Sequence, residues 1–213
     1  MLLSLNTAHY FIVYVARFLA YFIVVPIAGT FKAYLAKKCG DNTGENLGYL
    51  SLNPLDHLDF FGLVFFVLMG IGIARTIPVN INNITSPGKA IKVFLVFFAD
   101  VFAYIVLGII SIIFLVLTSH CPHAKLASAY KAFGYIVSNM LRLCITFILI
   151  YAIFNTMHLI LTLFYKNNLV LPTYVYYALF IIPFILLFFF GNILYVLIFN
   201  AIASMGIYCA QSL

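Results

Sequence analysis

Long apolar runs separated by short, polar, turn-rich passages dominate the pattern of this 213-residue chain. A hydrocarbon core of about 30 Å is crossed by around 20 apolar residues in an α-helix. Four runs reach that length: Ala8 to Phe31, Val93 to Thr118, Leu143 to Phe164 and Tyr174 to Ala203. They predict helices near 8–36, 90–118, 130–164 and 174–203. Phe60 to Ala74, which contains Gly62, Gly70 and Gly72, is shorter and predicts a short span or a re-entrant segment at 60–74. The last run carries Pro183 and Gly191 and is expected to form one tilted, kinked helix. Helices are the expectation throughout, because an open sheet would leave backbone amides unpaired in lipid. The passage 40–59 between the first two runs is read as a polar loop or short strands.

Composition then excludes a soluble protein. Hydrophobic residues make up 66% of the chain and charged residues 8%, with mean hydropathy +1.16; a soluble domain carries roughly 25% charged residues. The expected fold class is an all-α polytopic membrane protein with about 4–5 transmembrane helices. No repeat or linker divides it, so 1–213 is read as a single integral membrane domain. No lysine or arginine precedes the first run, which is therefore expected to stay as a membrane helix and not to act as a cleaved signal.

Net charge is +6, from 11 basic and 5 acidic residues. The basic residues are thinly spread at helix ends, which favours anionic lipid headgroups and topology over nucleic acid. Lys32, Lys37 and Lys38 follow the first helix, favouring an outside N-terminus and a cytoplasmic Lys32 to Asp59. Arg75, Lys89 and Lys92 share that side if 60–74 re-enters. The four cysteines form no CxxC pair, and Cys144 lies in an apolar run, where a thiol packs as a small hydrophobe.

Several polar residues could carry chemistry. In Asn53-Pro54-Leu55-Asp56-His57-Leu58-Asp59, His57 stands between Asp56 and Asp59 and could bind a divalent metal or relay a proton. Turn chemistry explains the same residues: Asn53 starts a turn and Asp59 caps the following helix. Tyr151, Asn155, His158 and Thr162 recur at steps of 4, 3 and 4, one polar stripe on an apolar helix. Such a stripe faces protein or a water-filled cavity, as a groove for a substrate helix or as interhelical hydrogen bonds. Arg17 and Asp100 are the most deeply embedded charges and are expected to pair across the bundle. Ser119-His120-Cys121-Pro122-His123 brings two imidazoles and a thiol together, one donor short of a structural zinc site.

The passage Leu47-Gly48-Tyr49-Leu50-Ser51-Leu52-Asn53-Pro54-Leu55-Asp56-His57-Leu58-Asp59 resembles LGRLTLNPLKHIDPIG, a signature of the site-2 protease family of intramembrane zinc metalloproteases. Phe31 to Asp41 is similar to that family's AHAWVADRLGD, and Ile77-Pro78-Val79-Asn80 to its KPVPVN. The resemblance covers about Ile23 to Leu117, and beyond that only hydropathy and order agree. It implies a site-2-protease-like bundle whose catalytic helix carries HExxH, two zinc-binding histidines and a general base. Counting back from Gly40-Asp41 places those three positions on Ala28, Gly29 and Lys32, and the nearest counterpart of the family's third ligand, an aspartate, is Thr173. A catalytic zinc needs about three protein ligands; none stands at these positions.

The expectation is therefore a catalytically inactive relative without a cofactor. It would bind or scaffold membrane-embedded helices in a groove between Tyr10 to Tyr34 and Leu143 to Phe164. The alternative is an active intramembrane zinc metalloprotease using substitute ligands such as His57, Asp59 and His158. Abundant Phe, Ile, Tyr and Asn with no Trp fits an AT-rich genome and points to a bacterial inner membrane.

Overall fold

The computed structural model describes residues 2–69, 73–119, 127–166, 193–198 and 200–201. Three long helices dominate: α1 (Leu2–Lys38), α6 (Ala99–Ser119) and α7 (Ala127–Lys166). Within them Tyr10–Lys38, Ala99–Leu117 and Phe133–Met157 are long and apolar enough to cross a bilayer. That makes three such helices among the described residues, fewer than the 4–5 expected from the sequence. The run near 174–203 lies outside the described residues except for 193–198 and 200–201, which are helical.

The three helices meet in one apolar core. Ala20, Val24 and Ala28 of α1, Val101, Tyr104 and Leu107 of α6, and Leu143, Cys144, Phe147 and Ile150 of α7 are buried together. Small side chains on α1 let neighbouring backbones approach, as is usual where lipid provides no hydrophobic drive between helices. Outward, α6 presents Ile105, Ile109, Ile110 and Ile113, exposed as a lipid-facing surface requires.

The expected helix near 90–118 is broken. α5 (Lys89–Phe97) ends at Phe98, and α6 starts with Ala99-Asp100. The break puts the Asp100 carboxylate in the first turn of a helix, where the amide dipoles favour an anion. α5 packs Val93, Val96 and Phe97 on Ala36 and Cys39 at the end of α1.

Residues 40–59 contain no strand among the described residues. They form α2 (Thr43–Asn46), α3 (Pro54–His57) and turns. Pro54 at the first position of α3 fixes φ for a helix start, and the Asn53 side chain accepts from Leu55 N, which stops strand pairing there.

The short apolar run becomes α4 (Phe60–Met69), ten residues long. At 1.5 Å per residue that is about 15 Å, half a hydrocarbon core. Its Asp59 cap holds Gly62 N at 2.6 Å. Both ends of the excursion return to one point: the Tyr21 hydroxyl lies 2.7 Å from Ile73 O and 3.4 Å from Asp59 O. The approach is so close that a Cβ on Gly62 would sit 1.7 Å from Ile73 O. Arg75 N then donates to His57 O.

The pairing of Arg17 with Asp100 expected from the sequence does not occur. Arg17 Nη1 donates to Val67 O at 2.8 Å, near the C-terminal end of α4, and Asp100 pairs with Lys32. Fifteen residues of α1 separate Arg17 from Lys32, about 22 Å along the axis, and Asp100 stands level with Lys32. Arg17 instead supplies a cation and donors to helix-end carbonyls, which lipid cannot satisfy.

Lys37 and Lys38 close α1, and Lys92 is tied to the same end: its Nζ reaches Thr85 O, and Thr85 N donates to Cys39 O. A chain that turns back at α4 puts 46 and 82 on the same membrane face. On a cysteine-free background, Asn46→Cys and Asn82→Cys should therefore react with an impermeant maleimide from one side only. Labelling from opposite sides would mean that residues 60–74 cross.

Candidate functional site

Asp41 anchors the polar end of the bundle. Fully buried, its carboxylate accepts from Thr43 N and Oγ1, from Asn80 N at 2.8 Å, and from Asn83 Nδ2 at 3.0 Å. Gly40 makes the turn possible, with φ +105° and so little room that a Cβ there would meet Asn83 O and Thr85 Cγ2 at 2.9 Å. Two passages of the sequence resemblance, the end of Phe31–Asp41 and Ile77–Asn80, thus meet through one side chain. Burial pushes the Asp41 carboxyl up, but the hydrogen bonds from Thr43, Asn80 and Asn83 outweigh it and hold the group below the usual aspartate range.

Nine to thirteen residues before Asp41, on α1, lie the three positions of the implied zinc site. Ala28 is buried in the apolar core. Gly29 faces His57, whose imidazole is fully buried; a Cβ on Gly29 would meet His57 Nδ1 at 2.3 Å. His57 Nε2 is 2.8 Å from Ser51 O and 3.3 Å from Thr30 Oγ1, so the ring is clamped between the loop and α1. Its Nδ1 has no hydrogen-bond partner.

Lys32 is buried, with Nζ 2.7 Å from Asp100 Oδ2 and 3.3 Å from Phe97 O. Asp100 Oδ1 accepts from Asn155 Nδ2 and from Val101 N, each at 2.9 Å. A single carboxylate thus links α1, α6 and α7. Desolvating one charge without the other would be costly, so the two are obligate partners.

As a place for a zinc ion, this cluster does not fit. Ala28 and Gly29 carry no donor atom, and Lys32 brings a cation that already holds the nearby carboxylate. Among the described residues no three of His, Cys, Asp and Glu come together. His57 and Asp59 are each engaged in the loop, Asp59 as a helix cap and His57 against Ser51 and Thr30. Asn53 caps α3, and half-buried Asp56 lies within it. His158 and Thr162 belong to α7, but their side chains, like Thr173 and residues 120–123, lie outside the described residues.

A cavity of about 480 Å³ opens beside the pair. Lys32, Tyr151 and Asn155 form its polar end, and Ile77, Val79 and Phe154 are among its apolar walls. The extended stretch after α4 forms one side of it. That stretch is held by Tyr151, whose hydroxyl donates to Ala74 O at 2.8 Å and accepts from Ala74 N at 3.1 Å. Tyr151 and Asn155 of the polar stripe therefore both face inward, onto the 73–79 segment and Asp100. The lining comes from α7 and that segment, with Lys32 from α1 and Phe97 from α5. Sequence reasoning missed Lys32 as the partner of Asp100, although a lysine six residues before the end of an apolar helix was the available signal.

Gly29→Ala should lower stability by about 1–3 kcal/mol, the usual cost of overpacking, measured by denaturation in detergent. His57→Ala in the same background should remove most of that penalty. Asp41 gives a pH signature. Its folded-state pKa lies below the unfolded value of about 4, so its stabilisation is present above that value and is lost as pH falls through the folded pKa. Thermal stability should drop as pH falls below about 4, and Asp41→Asn should flatten that part of the profile.

Against known proteins, 58 residues of the chain are 47% identical to the "Putative zinc metalloprotease YwhC" of Bacillus subtilis (strain 168). The match covers 27% of this chain and 26% of the relative, so the chain spans about a quarter of the length of the curated relative it matches. No family profile and no solved structure matches. Three helices long and apolar enough to cross a membrane point to an integral membrane protein, and the shared segment makes 58 of its residues similar to a "Putative zinc metalloprotease".

Proposed function

We propose that this chain is a catalytically inactive site-2-protease-like protein of a bacterial inner membrane, and that it binds or scaffolds membrane-embedded partners. The observation that carries the reading is Lys32. At the position where the resemblance calls for a zinc-binding histidine stands an ammonium locked to Asp100. The three positions themselves offer a metal only an alanine, a glycine and an ammonium, and the carboxylate beside them is already held by that ammonium. The cavity beside the pair, of a size suited to a ligand or a chain segment, offers partners an apolar surface with a polar end. The partners in this reading are the bilayer and transmembrane-helix clients, with no role for nucleic acid.

One observation favours the metalloprotease reading: the buried, unpartnered Nδ1 of His57. In that reading His57 would join Asp59 and His158 around zinc. Elemental analysis of the purified protein separates the two. The expected result is zinc well below one equivalent, unchanged by His57→Ala, with no chelator-sensitive cleavage of model transmembrane substrates. Stoichiometric zinc that disappears in His57→Ala, together with cleavage abolished by a chelator, would establish the enzyme instead.

A further inference from the structure

We infer that the polar end of the cavity is a binding site for a primary ammonium group, occupied in the native chain by the tethered ammonium of Lys32. The acceptors belong to elements other than α1. Asp100 Oδ2 comes from the first turn of α6 and Phe97 O from the last residue of α5, at 2.7 Å and 3.3 Å from Nζ. Asn155 of α7 holds the other carboxylate oxygen from 2.9 Å, which fixes the orientation of Asp100. Shortening Lys32 would leave this acceptor set standing.

The carboxylate needs a cation. Its other two bonds come from neutral N–H groups of Asn155 and Val101, which orient it but do not balance its charge. Buried ionised groups are tolerated when paired. A carboxylate and a carbonyl acting as acceptors suit the N–H bonds of a primary ammonium ion. Quaternary ammonium ions lack those donors altogether.

Shortening Lys32 would open a route to the carboxylate. The 480 Å³ cavity is lined by Lys32, Phe97 and Asn155, with largely apolar remaining walls, while Asp100 lines an adjoining space of about 10 Å³ that shares Lys32 and Tyr151 with it. A small alkylamine fits both features, its ammonium at Asp100 and its alkyl tail along Ile77, Val79 and Phe154. The pair therefore acts as an internal ligand that fastens α1 to α6 and α7. This inference does not depend on catalytic inactivity: zinc bound through His57 would overturn the proposed function and leave the ammonium site standing.

The test is thermal unfolding of the full chain in detergent. Lys32→Ala should unfold about 10 °C below the native protein, as expected for one stranded buried charge. Ethylammonium or n-butylammonium should raise the Tm of Lys32→Ala saturably, while sodium and tetraethylammonium should not. The native protein, its site filled, should not respond, and neither should Lys32→Ala combined with Asp100→Asn. If Lys32→Ala does not fold, Lys32→Met, Asp100→Asn and their combination give a second readout. The combination, which removes both charges, should be more stable than the sum of the single losses predicts. Equal response to all cations, no response to primary amines in a folded Lys32→Ala, or additive losses would overturn the inference.

Discussion

The buried bond between Lys32 and Asp100 is the constraint around which the other polar contacts of the bundle are arranged. A membrane core does not tolerate lone charges, and each member of this pair lies on a helix that would otherwise be apolar at that level. The pair fixes the rotation of α1, because Lys32 must face α6. It fixes the start of α6, because Asp100 must stand at the helix origin. It also fixes α7 through Asn155. The interruption at Phe98 follows from the same demand, since a continuous helix from 90 to 118 would not offer Asp100 the amide-rich environment of a first turn.

A second set of contacts secures the turn-rich passages against this frame. Asp41 joins the end of α1 to Asn80 and Asn83, while Tyr21 and Tyr151 grip Ile73 and Ala74 through their hydroxyls. The extended stretch between those points has a tyrosine clamp at one end and a carboxylate at the other. Held this way, it forms a rigid wall of the cavity where a free loop would fill or close it. The positions of the two tyrosines on α1 and α7 make the wall part of the three-helix core.

Much of the fold is legible in the sequence because lipid restricts the options. Length and apolarity specify α1, α6 and α7, since only helices satisfy their own backbone in a bilayer. The Asp59 cap and the Asn53-Pro54 helix start follow from local side-chain chemistry alone. The ion pair is not legible in the same way. Sequence shows that Asp100 needs a cation, but Arg17 and Lys32 lie on the same helix, and only the vertical register of α6 against α1 chooses between them. The fate of Arg17 depends on where α4 ends, which is also a tertiary fact. Of the two options at 40–59, a polar loop or short strands, the strands fail for a local reason: Pro54 and the caps around it favour tight helical turns over an extended ladder. The close fit of His57 on Gly29 requires knowing that a loop folds back onto α1, and no spacing in the chain encodes that.

That fit limits how the helix could be redesigned. With an imidazole lodged where a side chain on residue 29 would begin, placing an acid there first requires the loop carrying His57 to withdraw. Removing Lys32 first would strand Asp100. Each single substitution of this kind at residue 29 or 32 therefore gives a less stable protein, so donor atoms could be installed on this face of α1 only by changing several residues together.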